Sequence, residues 1–313
     1  MPELPEVEVV RRGLAPAVTG ATLLGVDVFD PRALKRHRAL GEVSQLGHGH
    51  TLDPATAQLR AGDFERRLTG SVLEHPKRRG KFMWIPIRAH TRDATPEALL
   101  AHLGMSGQLL VREPDAPDDR HVRVRLWLDT PGHGELRVDF CDQRLFGSLS
   151  LDTLHSDSAR GEHPVSAAHI APDPLETVFN DRAWITHMRQ RQVPVKRALL
   201  NQELISGVGN IYADEALWAA RIHPETLAAR VSERKLAELL QAVRAVFHKA
   251  LAEGGTSFDS MYVNVNGESG YFAHSLNAYG RGGQACPRCG TLIRRVRFAG
   301  RSSHFCPRCQ RRR

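Results

Sequence analysis

Residues 286–309 read CPRCGTLIRRVRFAGRSSHFCPRC, in which two Cys-Pro-Arg-Cys knuckles stand sixteen residues apart. Four thiolates at this spacing are typical of a tetrahedral zinc site. The predicted ligands are Cys286, Cys289, Cys306 and Cys309. Four protein ligands leave no open position on the ion, so we expect one structural Zn2+ ion and no zinc catalysis. Between the knuckles, 292–298 and 302–305 predict the two strands of a hairpin.

The positive charge of the chain is concentrated at this end. The 313 residues carry a net charge of +8, yet the stretch from Ser269 to Arg313 contains ten arginines and no acidic residue, which leaves −2 for the first 268 residues. A localised positive charge of this kind favours a polyanionic partner such as nucleic acid. Zinc ribbons that bind protein share the four-cysteine pattern, so the hairpin alone does not decide the partner.

Cysteine usage indicates a reducing compartment, and hydropathy indicates that no segment spans a membrane. Only Cys141 lies outside the knuckles, and we expect it to be a small core residue. The chain has no apolar run of about 18 residues, so we expect no membrane span. Its acidic, proline-containing start does not resemble a signal peptide. These observations predict a cytoplasmic protein of the bacterial cytosol and nucleoid.

Hydrophobic periodicity divides the chain into a strand-rich part and a helical part. After a short helix at 5–18, alternation such as that at 122–126 indicates antiparallel strands, with polar loops at 41–63 and 89–96. Helical patterns appear later, and the strongest covers 232–253. The fold class is therefore α+β and multidomain, with an N-terminal antiparallel β-sandwich flanked by helices.

These patterns predict four segments. A strand-rich N-terminal domain covers 2–154, a polar, proline-containing linker covers 155–178, a helical domain covers 179–276, and the zinc hairpin covers 277–313.

The chain opens with Met1-Pro2-Glu3-Leu4-Pro5-Glu6, which places a secondary amine beside carboxylates. Removal of Met1 would free the Pro2 amine, whose attack on an aldehyde carbon gives an iminium ion with no nitrogen proton to lose. This fixed cation is an electron sink, so the adjacent C–H bonds become acidic. Glu3 and Glu6 are close enough in sequence to supply or take a proton during bond cleavage. Glu8 is expected to be an ordinary helix-surface residue.

Basic residues also cluster ahead of the zinc hairpin, at 77–81 and again at 189–197. A glycine-containing turn, 207–210, precedes a predicted helix, and backbone amides there suit a phosphate group. A plain turn between helices is the alternative for 207–210. Contacts of this kind would bind phosphate without reading the base sequence.

The same motifs resemble the bacterial formamidopyrimidine-DNA glycosylase family and follow its order along the whole chain. They are PELPEVE (2–8), RGKF (79–82), HLGMSG (102–107), DQRLFG (142–147), GVGNIY (207–212), YGR (279–281) and RSSHFC (301–306). The resemblance implies a bifunctional glycosylase and abasic-site lyase of base excision repair. Such an enzyme excises oxidised purines, 8-oxoguanine and formamidopyrimidines, through a proline Schiff base and nicks the strand by β,δ-elimination. It also implies a helix–two-turn–helix domain at 179–276.

The resemblance implies catalytic roles for five residues. Pro2 resembles the Schiff-base nucleophile, Glu3 the general acid at the sugar, Glu6 a supporting carboxylate, Lys81 the lysine near the lesion phosphate and sugar, and Arg301 the hairpin arginine that assists the second elimination.

The resemblance also implies contacts with DNA. Met105, Arg144 and Phe146 resemble the side chains that fill the gap left by an extruded nucleotide. Asn210 resembles a phosphate-binding asparagine of the helix–two-turn–helix motif. Further candidates are His102, His121, Arg191 and Lys196. The implied partner is double-stranded DNA that contains a damaged base or an abasic site, bound by a monomer.

Two alternative functions stay open. Endonuclease VIII relatives share the fold and act on oxidised pyrimidines, although Leu4 stands where that branch usually has glycine. A non-enzymatic zinc-ribbon DNA binder is the second alternative, and the joint presence of Pro2, Glu3 and Lys81 argues against it. Leu145 departs from the family, in which a second basic residue is common there. The lesion-capping segment expected within 256–271 varies between members, so it leaves the range of lesions open.

Overall fold

The computed structural model describes residues 2–42, 52–88, 95–157, 161–256, 265–266 and 270–312. The chain divides into two compact units. The first unit comprises Met1–Pro2, Glu6–Ala168 and Ser257–Gly270, and the second comprises Glu3–Pro5, His169–Thr256 and Tyr271–Arg313. The chain therefore passes between the units more than once.

Helix α1 (Leu4–Val18) begins inside the motif that opens the chain. Pro5 suits the first turn because its missing N–H would have no partner there in any helix. Val7, Val10 and Leu14 recur on one face, and they are buried in the core of the first unit. The predicted helix at 5–18 is confirmed.

Ten strands of the first unit form one curled antiparallel sheet. They are β1 (Thr22–Val28), β2 (Val72–Leu73), β3 (Lys77–Arg79), β4 (Phe82–Arg88), β5 (Glu97–His102), β6 (Gly107–Arg112), β7 (Val122–Thr130), β8 (Gly134–Asp142), β9 (Ser148–Asp157) and β10 (Gly161–Pro164). The order across the sheet is β10-β9-β5-β4-β2-β1-β7-β8-β6, and β3 pairs with β4. The alternation seen at 122–126 buries Val124 and Leu126 in β7. The predicted fold class is confirmed.

One expected loop of the first unit is a helix. The stretch 41–63 includes most of α2 (Pro54–Leu68), which Asp53 caps by accepting a hydrogen bond from Thr56 N. Phe64 and Leu68 bury one side of α2. The prediction of a loop was wrong because only the last two turns carry large buried apolar side chains. Residues 43–51 and 89–94 of the two expected loops lie outside the described residues.

The expected linker at 155–178 contains regular structure at its start. β9 extends to Asp157, and β10 pairs with it so that His163 lies opposite His155. The boundary between the two compact units falls within this stretch, after Ala168. The domain limits given above stay predictions.

Four helices form the helical part of the second unit: α3 (Asp181–Arg189), α4 (Val195–Leu199), α5 (Asn210–Ala220) and α6 (Glu233–Ala252). Ser232 caps α6 by accepting a hydrogen bond from Lys235 N. The predicted apolar stripe of α6, which includes Leu236, Val243 and Phe247, is buried. None of the described helices combines the length and apolarity that a membrane span needs.

The second unit ends in a hairpin of β11 (Arg294–Phe298) and β12 (Arg301–Phe305). Its two turn residues, Ala299 and Gly300, have φ values of 44° and 77°. Positive φ at both positions is the conformation of the tight hairpin turn that matches the natural twist of the strands. The predicted hairpin is confirmed, with Arg301 as the first residue of β12.

Candidate active site and nucleic-acid interface

Pro2 and Glu6 lie in the first unit, at the start of α1. Pro2 is buried, and the Glu6 residue is 2% exposed. Met1, whose removal would free the Pro2 amine, lies outside the described residues. Burial of Pro2 and of a carboxylate four residues later favours a reaction that is shielded from water.

Glu3 lies in the second unit, where its carboxylate occupies the N-terminus of α5. Oε2 accepts hydrogen bonds from Gly209 N at 2.7 Å and Tyr212 N at 3.4 Å. Oε1 accepts one from Ile211 N at 3.1 Å. The first N–H groups of a helix lack partners inside the helix, and the helix dipole stabilises negative charge there. The carboxylate of Glu3 is therefore fixed in position by the backbone.

The glycines of the turn at 207–210 make this contact possible. A Cβ on Gly209 would lie 2.2 Å from Glu3 Cδ, and one on Gly207 would lie 2.6 Å from Leu4 Cδ1. The backbone amides that the sequence suggested for a phosphate thus bind a carboxylate of the chain itself. The sequence did not reveal this pairing because the partners are 206 residues apart.

Met105 and Phe146 stand on two loops of the first unit that touch each other. Both side chains are 48% exposed, so neither is a core residue. Gly104 has a φ of +63°, and a Cβ there would lie 2.5 Å from the backbone carbonyl carbon of Phe146. The Asp142 carboxylate holds the second loop by accepting hydrogen bonds from Arg144 N at 3.1 Å and Gly147 N at 2.7 Å. Two apolar side chains are thereby presented to solvent on rigid supports.

Arg144 and His121 are carried by the same part of the first unit. The Arg144 side chain is exposed beside Phe146 in the sequence. His121 O accepts a hydrogen bond from Asp142 N at 2.9 Å, which places the His121 backbone next to the base of the 142–147 loop. The structure therefore brings together four of the predicted DNA contacts: Met105, His121, Arg144 and Phe146.

His102 ends β5 within a group of positive charges. Burial lowers the pKa of His102 to about 4, and the charges of Arg36, Lys35 and Lys81 act in the same direction. Its Nδ1 accepts a hydrogen bond from Gly104 N at 3.2 Å. The ring is therefore neutral at neutral pH, with the proton on Nε2, where it can be donated to a phosphate. Lys81 follows Gly80, whose φ is 55°, in the turn between β3 and β4.

Asn210 and Lys196 both bond to the zinc hairpin in the second unit. Asn210 Nδ2 donates to Ser302 O at 3.0 Å, and Lys196 Nζ donates to the same oxygen at 3.2 Å. Lys196 is fully buried, and its ammonium pairs with Asp214 at 2.7 Å. Asp214 also accepts hydrogen bonds from Ser303 Oγ and His304 N. The predicted contact of Lys196 with DNA stays a prediction, whereas its observed partners are those of a residue that positions the hairpin.

Arg301 is exposed at the tip of this hairpin. It pairs with Phe298 across the turn, directly beside Ser302. Arg191 is also exposed, and it lines a cavity of about 500 Å³ together with Arg197, Phe298 and others. One predicted catalytic residue and one predicted DNA contact therefore lie at or near the hairpin tip.

The four knuckle cysteines form a cluster that fits zinc. Their Sγ atoms all lie within 4.8 Å of one another. A tetrahedron with Zn–S bonds of about 2.3 Å has edges of about 3.8 Å, so a small movement closes the site. Burial opposes ionisation of the Cys286 thiol, but hydrogen bonds from the Trp218 indole and from backbone N–H groups outweigh it and lower its pKa. The chain holds one structural zinc ion here.

Two residues that the sequence did not single out attach the zinc hairpin to α5 and to the residues that follow it. Trp218 Nε1 donates to Cys286 Sγ at 3.4 Å, and Arg288 stacks on the Trp218 ring at 4.0 Å. Gln310 is fully buried, donates to Ile222 O at 2.9 Å and accepts from Cys306 N at 2.8 Å. The Cys-x-x-Cys-Gln sequence was the available signal for Gln310.

Glu8 is the centre of an ion-pair group in the first unit, so its assignment to the helix surface was wrong. It is 7% exposed and lies 2.8 Å from Arg11, 2.8 Å from Arg12 and 3.0 Å from Arg78. Burial alone would raise the pKa of Glu8, but hydrogen bonds and charge from Arg11 and Arg78 lower it to about 2. This group joins α1 to β3, which leads into the Lys81 turn.

Three known domain families match successive parts of the chain. The formamidopyrimidine-DNA glycosylase N-terminal domain matches residues 1–149, its H2TH domain matches 170–261, and the zinc finger found in FPG and IleRS matches 283–312. The chain belongs to the formamidopyrimidine-DNA glycosylase family. The member from Leifsonia xyli subsp. xyli is 52% identical to it over 99% of this chain and 100% of its own length. The member from Nocardioides sp. is 53% identical over 99% of this chain and 94% of its own length.

Solved structures of family members superpose on the whole chain. The complex of Lactococcus lactis Fpg with abasic-site DNA has a TM-score of 0.77 at 27% identity, and covers 99% of this chain and 100% of that one. The complex of the same protein with DNA that contains an oxidised pyrimidine has a TM-score of 0.76 at 28% identity, with the same coverage.

Proposed function

We propose that this chain is a DNA glycosylase and abasic-site lyase of base excision repair that removes oxidised purines, including formamidopyrimidines and 8-oxoguanine. Membership of the formamidopyrimidine-DNA glycosylase family supports the reaction class. The observation that carries the mechanism is the buried Glu3 carboxylate, which three backbone amides hold immediately after Pro2 in the sequence.

In this mechanism the Pro2 amine attacks C1′ of the damaged nucleotide as the base departs. The sugar ring opens and leaves an iminium ion between Pro2 and the sugar. Because the nitrogen is secondary, the positive charge cannot be lost by deprotonation and draws electrons from the adjacent C2′–H bond. Loss of that proton expels the 3′ phosphate group, and a second elimination expels the 5′ phosphate group.

Glu3 is the general acid at the sugar and supplies the proton that the departure of the base needs. A proton donor or acceptor is effective only when it is held within hydrogen-bonding reach of the reacting atom. The amides of α5 leave the carboxylate little freedom to move, so its position is set before DNA binds. Glu6 is buried about one helical turn after Glu3 and acts as a supporting carboxylate. Lys81 and Arg301 contribute positive charge near the phosphates.

The exposed loops of the first unit provide the means to extrude the base. A damaged base inside a duplex is unreachable, so the nucleotide must leave the stack and the gap must be filled. Met105 is a flexible apolar group and Phe146 a flat one, and both are already exposed on supported loops. Arg144 supplies donors for the unpaired base opposite. Further contacts with the DNA backbone come from His102, whose ring is neutral, and from Asn210, His121 and Arg191.

The structural zinc ion orders the hairpin that carries Arg301, and no step of the reaction passes through it. DNA is the substrate of this reaction, so we propose that the enzyme works in the bacterial cytosol and nucleoid as a monomer. The lesion range is wider than purines if this chain follows Lactococcus lactis Fpg, which has been captured with an oxidised-pyrimidine DNA. A comparison of the excision rate of 8-oxoguanine with that of thymine glycol shows which of the two lesions the enzyme prefers.

Borohydride trapping tests the proposal. Reduction of the reaction on an 8-oxoguanine duplex should link the full-length chain covalently to DNA, and peptide mapping should place the link on Pro2. Intact mass should show that Met1 is absent from the active protein. The Pro2→Gly variant should bind the duplex but give no trapped product. A trapped complex linked to a lysine, or equal loss of binding and cleavage in Pro2→Gly, contradicts the proposed division of roles.

A further inference from the structure

A basic cavity lies in the second unit at the knuckle end of the zinc hairpin. It has a volume of about 790 Å³, and its walls come from the end of α5, the start of α6 and both knuckles. Six cationic side chains line it: Arg221, Arg230, Lys235, Arg288, Arg308 and Arg311. None of these residues was assigned a role in the excision of bases.

About half of this positive charge is not neutralised by the chain. Among the described residues, Arg221, Arg230, Arg308 and Arg311 have no acidic group within 4.0 Å, and all four are exposed. Lys235 pairs with Glu238 at 2.5 Å. A zinc ion with four thiolates carries two negative charges, which together with Glu238 leave about three of the six positive charges without compensation. A concave surface with this excess attracts anions.

The cavity is separate from the hairpin tip. Cys289 and Cys309 line it, whereas Arg301 begins β12 at the opposite end of the hairpin. Arg301 and Phe305 are four positions apart along β12, which corresponds to roughly 13 Å at the usual rise of a strand. A ligand in the cavity therefore does not occupy the place of the phosphates that Arg301 and Asn210 are proposed to contact.

The side chains favour phosphate over other anions. Guanidinium groups are planar and bind phosphate oxygens in pairs, and five of the six cations are arginines. Ser232 lies in the wall as the N-cap of the 20-residue helix α6, whose N-terminus adds a favourable dipole. Ile222 and Val231 give one part of the wall an apolar surface. Several arginines around one concave surface suit neighbouring phosphates better than a single ion.

We propose that this cavity is a second anion site that binds linked phosphates, independent of the lesion site. The source is either a free oligophosphate or the backbone of a nucleic-acid strand beyond the lesion duplex. Both present consecutive phosphate groups, so the cavity chemistry is the same for either.

The direct test is calorimetric titration of the zinc-loaded, full-length protein with inorganic tripolyphosphate. The Arg230→Glu, Arg311→Glu double variant reverses two exposed charges of the cavity. Its matched control, Arg88→Glu, Arg182→Glu, makes the same change of net charge at exposed arginines elsewhere. We expect the cavity variant to bind tripolyphosphate at least about 30-fold more weakly than wild type, because two charge-assisted contacts are lost. The control should bind within about threefold of wild type.

A second pair of measurements separates the cavity from the lesion site. The Asn210→Ala, Arg301→Ala variant should bind tripolyphosphate as wild type does, and one zinc ion per chain should remain in every variant. Competition by an undamaged single-stranded decanucleotide identifies a strand backbone as the source, and its absence identifies a free oligophosphate. Equal binding by the cavity variant and wild type overturns the proposal. So does equally tight binding of a decaglutamate peptide, and so does loss of tripolyphosphate binding in the Asn210→Ala, Arg301→Ala variant.

Discussion

Replacement of Gly209 by alanine tests whether the position of Glu3 governs base excision. Gly209 has φ −123° and ψ −160°, an extended conformation that alanine adopts freely. The new Cβ would lie 2.2 Å from Glu3 Cδ and 2.3 Å from Oε1. The backbone around Gly209 is held at the start of α5, so the Glu3 carboxylate has to leave its place.

The structure sets the size of the effect. The displaced carboxylate loses its hydrogen bonds to Gly209 N at 2.7 Å and Ile211 N at 3.1 Å. Two charge-assisted bonds contribute roughly 3–6 kcal/mol together, which corresponds to a fall of about 10² to 10⁴-fold in the rate of base excision. Cleavage of a duplex that already contains an abasic site should fall much less, because no base has to depart.

The assay is single-turnover excision of 8-oxoguanine, run beside single-turnover cleavage of an abasic duplex. Gly62→Ala is the matched control, because no atom lies within 4 Å of the new Cβ and the site is inside helix α2. It should keep full activity. Glu3→Gln, which keeps the size of the side chain, should reproduce the excision defect with normal zinc content. Excision by Gly209→Ala at the wild-type rate would refute the reasoning.

Three further outcomes follow from other contacts. Glu8→Gln should lower the free energy of unfolding by about 3 kcal/mol at pH 7, because the carboxyl pKa of Glu8 falls from 4.5 to about 2 on folding. In urea denaturation, the difference in free energy between this variant and wild type should shrink as the pH is lowered from 4.5 towards 2. A difference that does not depend on pH would contradict the ion pairs. Gln310→Ala should speed zinc release to a chromogenic chelator by at least about tenfold, because two buried hydrogen bonds are lost; unchanged release would show that the knuckles hold the ion alone. Gly104→Ala should reduce base extrusion, reported by 2-aminopurine fluorescence, because its Cβ would lie 2.5 Å from the Phe146 backbone; normal extrusion would show that the two loops move independently.

The sequence predicted the elements that have a strong local signal. The stripe on α6 has helical spacing, and the hairpin follows from its two knuckles and its Ala299-Gly300 turn. Both appear in the structure within two residues of the predicted limits. Helix α2 was missed because its first turns carry few large apolar residues, so a local pattern resembled a polar loop.

The candidate site was harder to predict because its contacts join distant residues. The turn at 207–210 was expected to hold a phosphate. Its observed partner is Glu3, which no local sequence pattern could identify. In the same way, burial of Glu8 depends on Arg78, and burial of Lys196 depends on Asp214. The sequence shows that a charged residue needs a partner if it is buried, but only the three-dimensional structure shows which residue that partner is.

The brief excursion of Glu3–Pro5 into the second unit has a practical consequence for dissection of the enzyme. Leu4 is fully buried among residues of that unit, and its N–H donates to Gly207 O at 3.1 Å. A fragment that starts at residue 169 would lack this side chain and the carboxylate next to it. It would expose the vacated groove and the backbone groups that bond to Glu3 and Leu4 in the whole chain. Expression of the C-terminal half alone should therefore give an aggregation-prone product, and a peptide of the first few residues added in trans should improve its solubility.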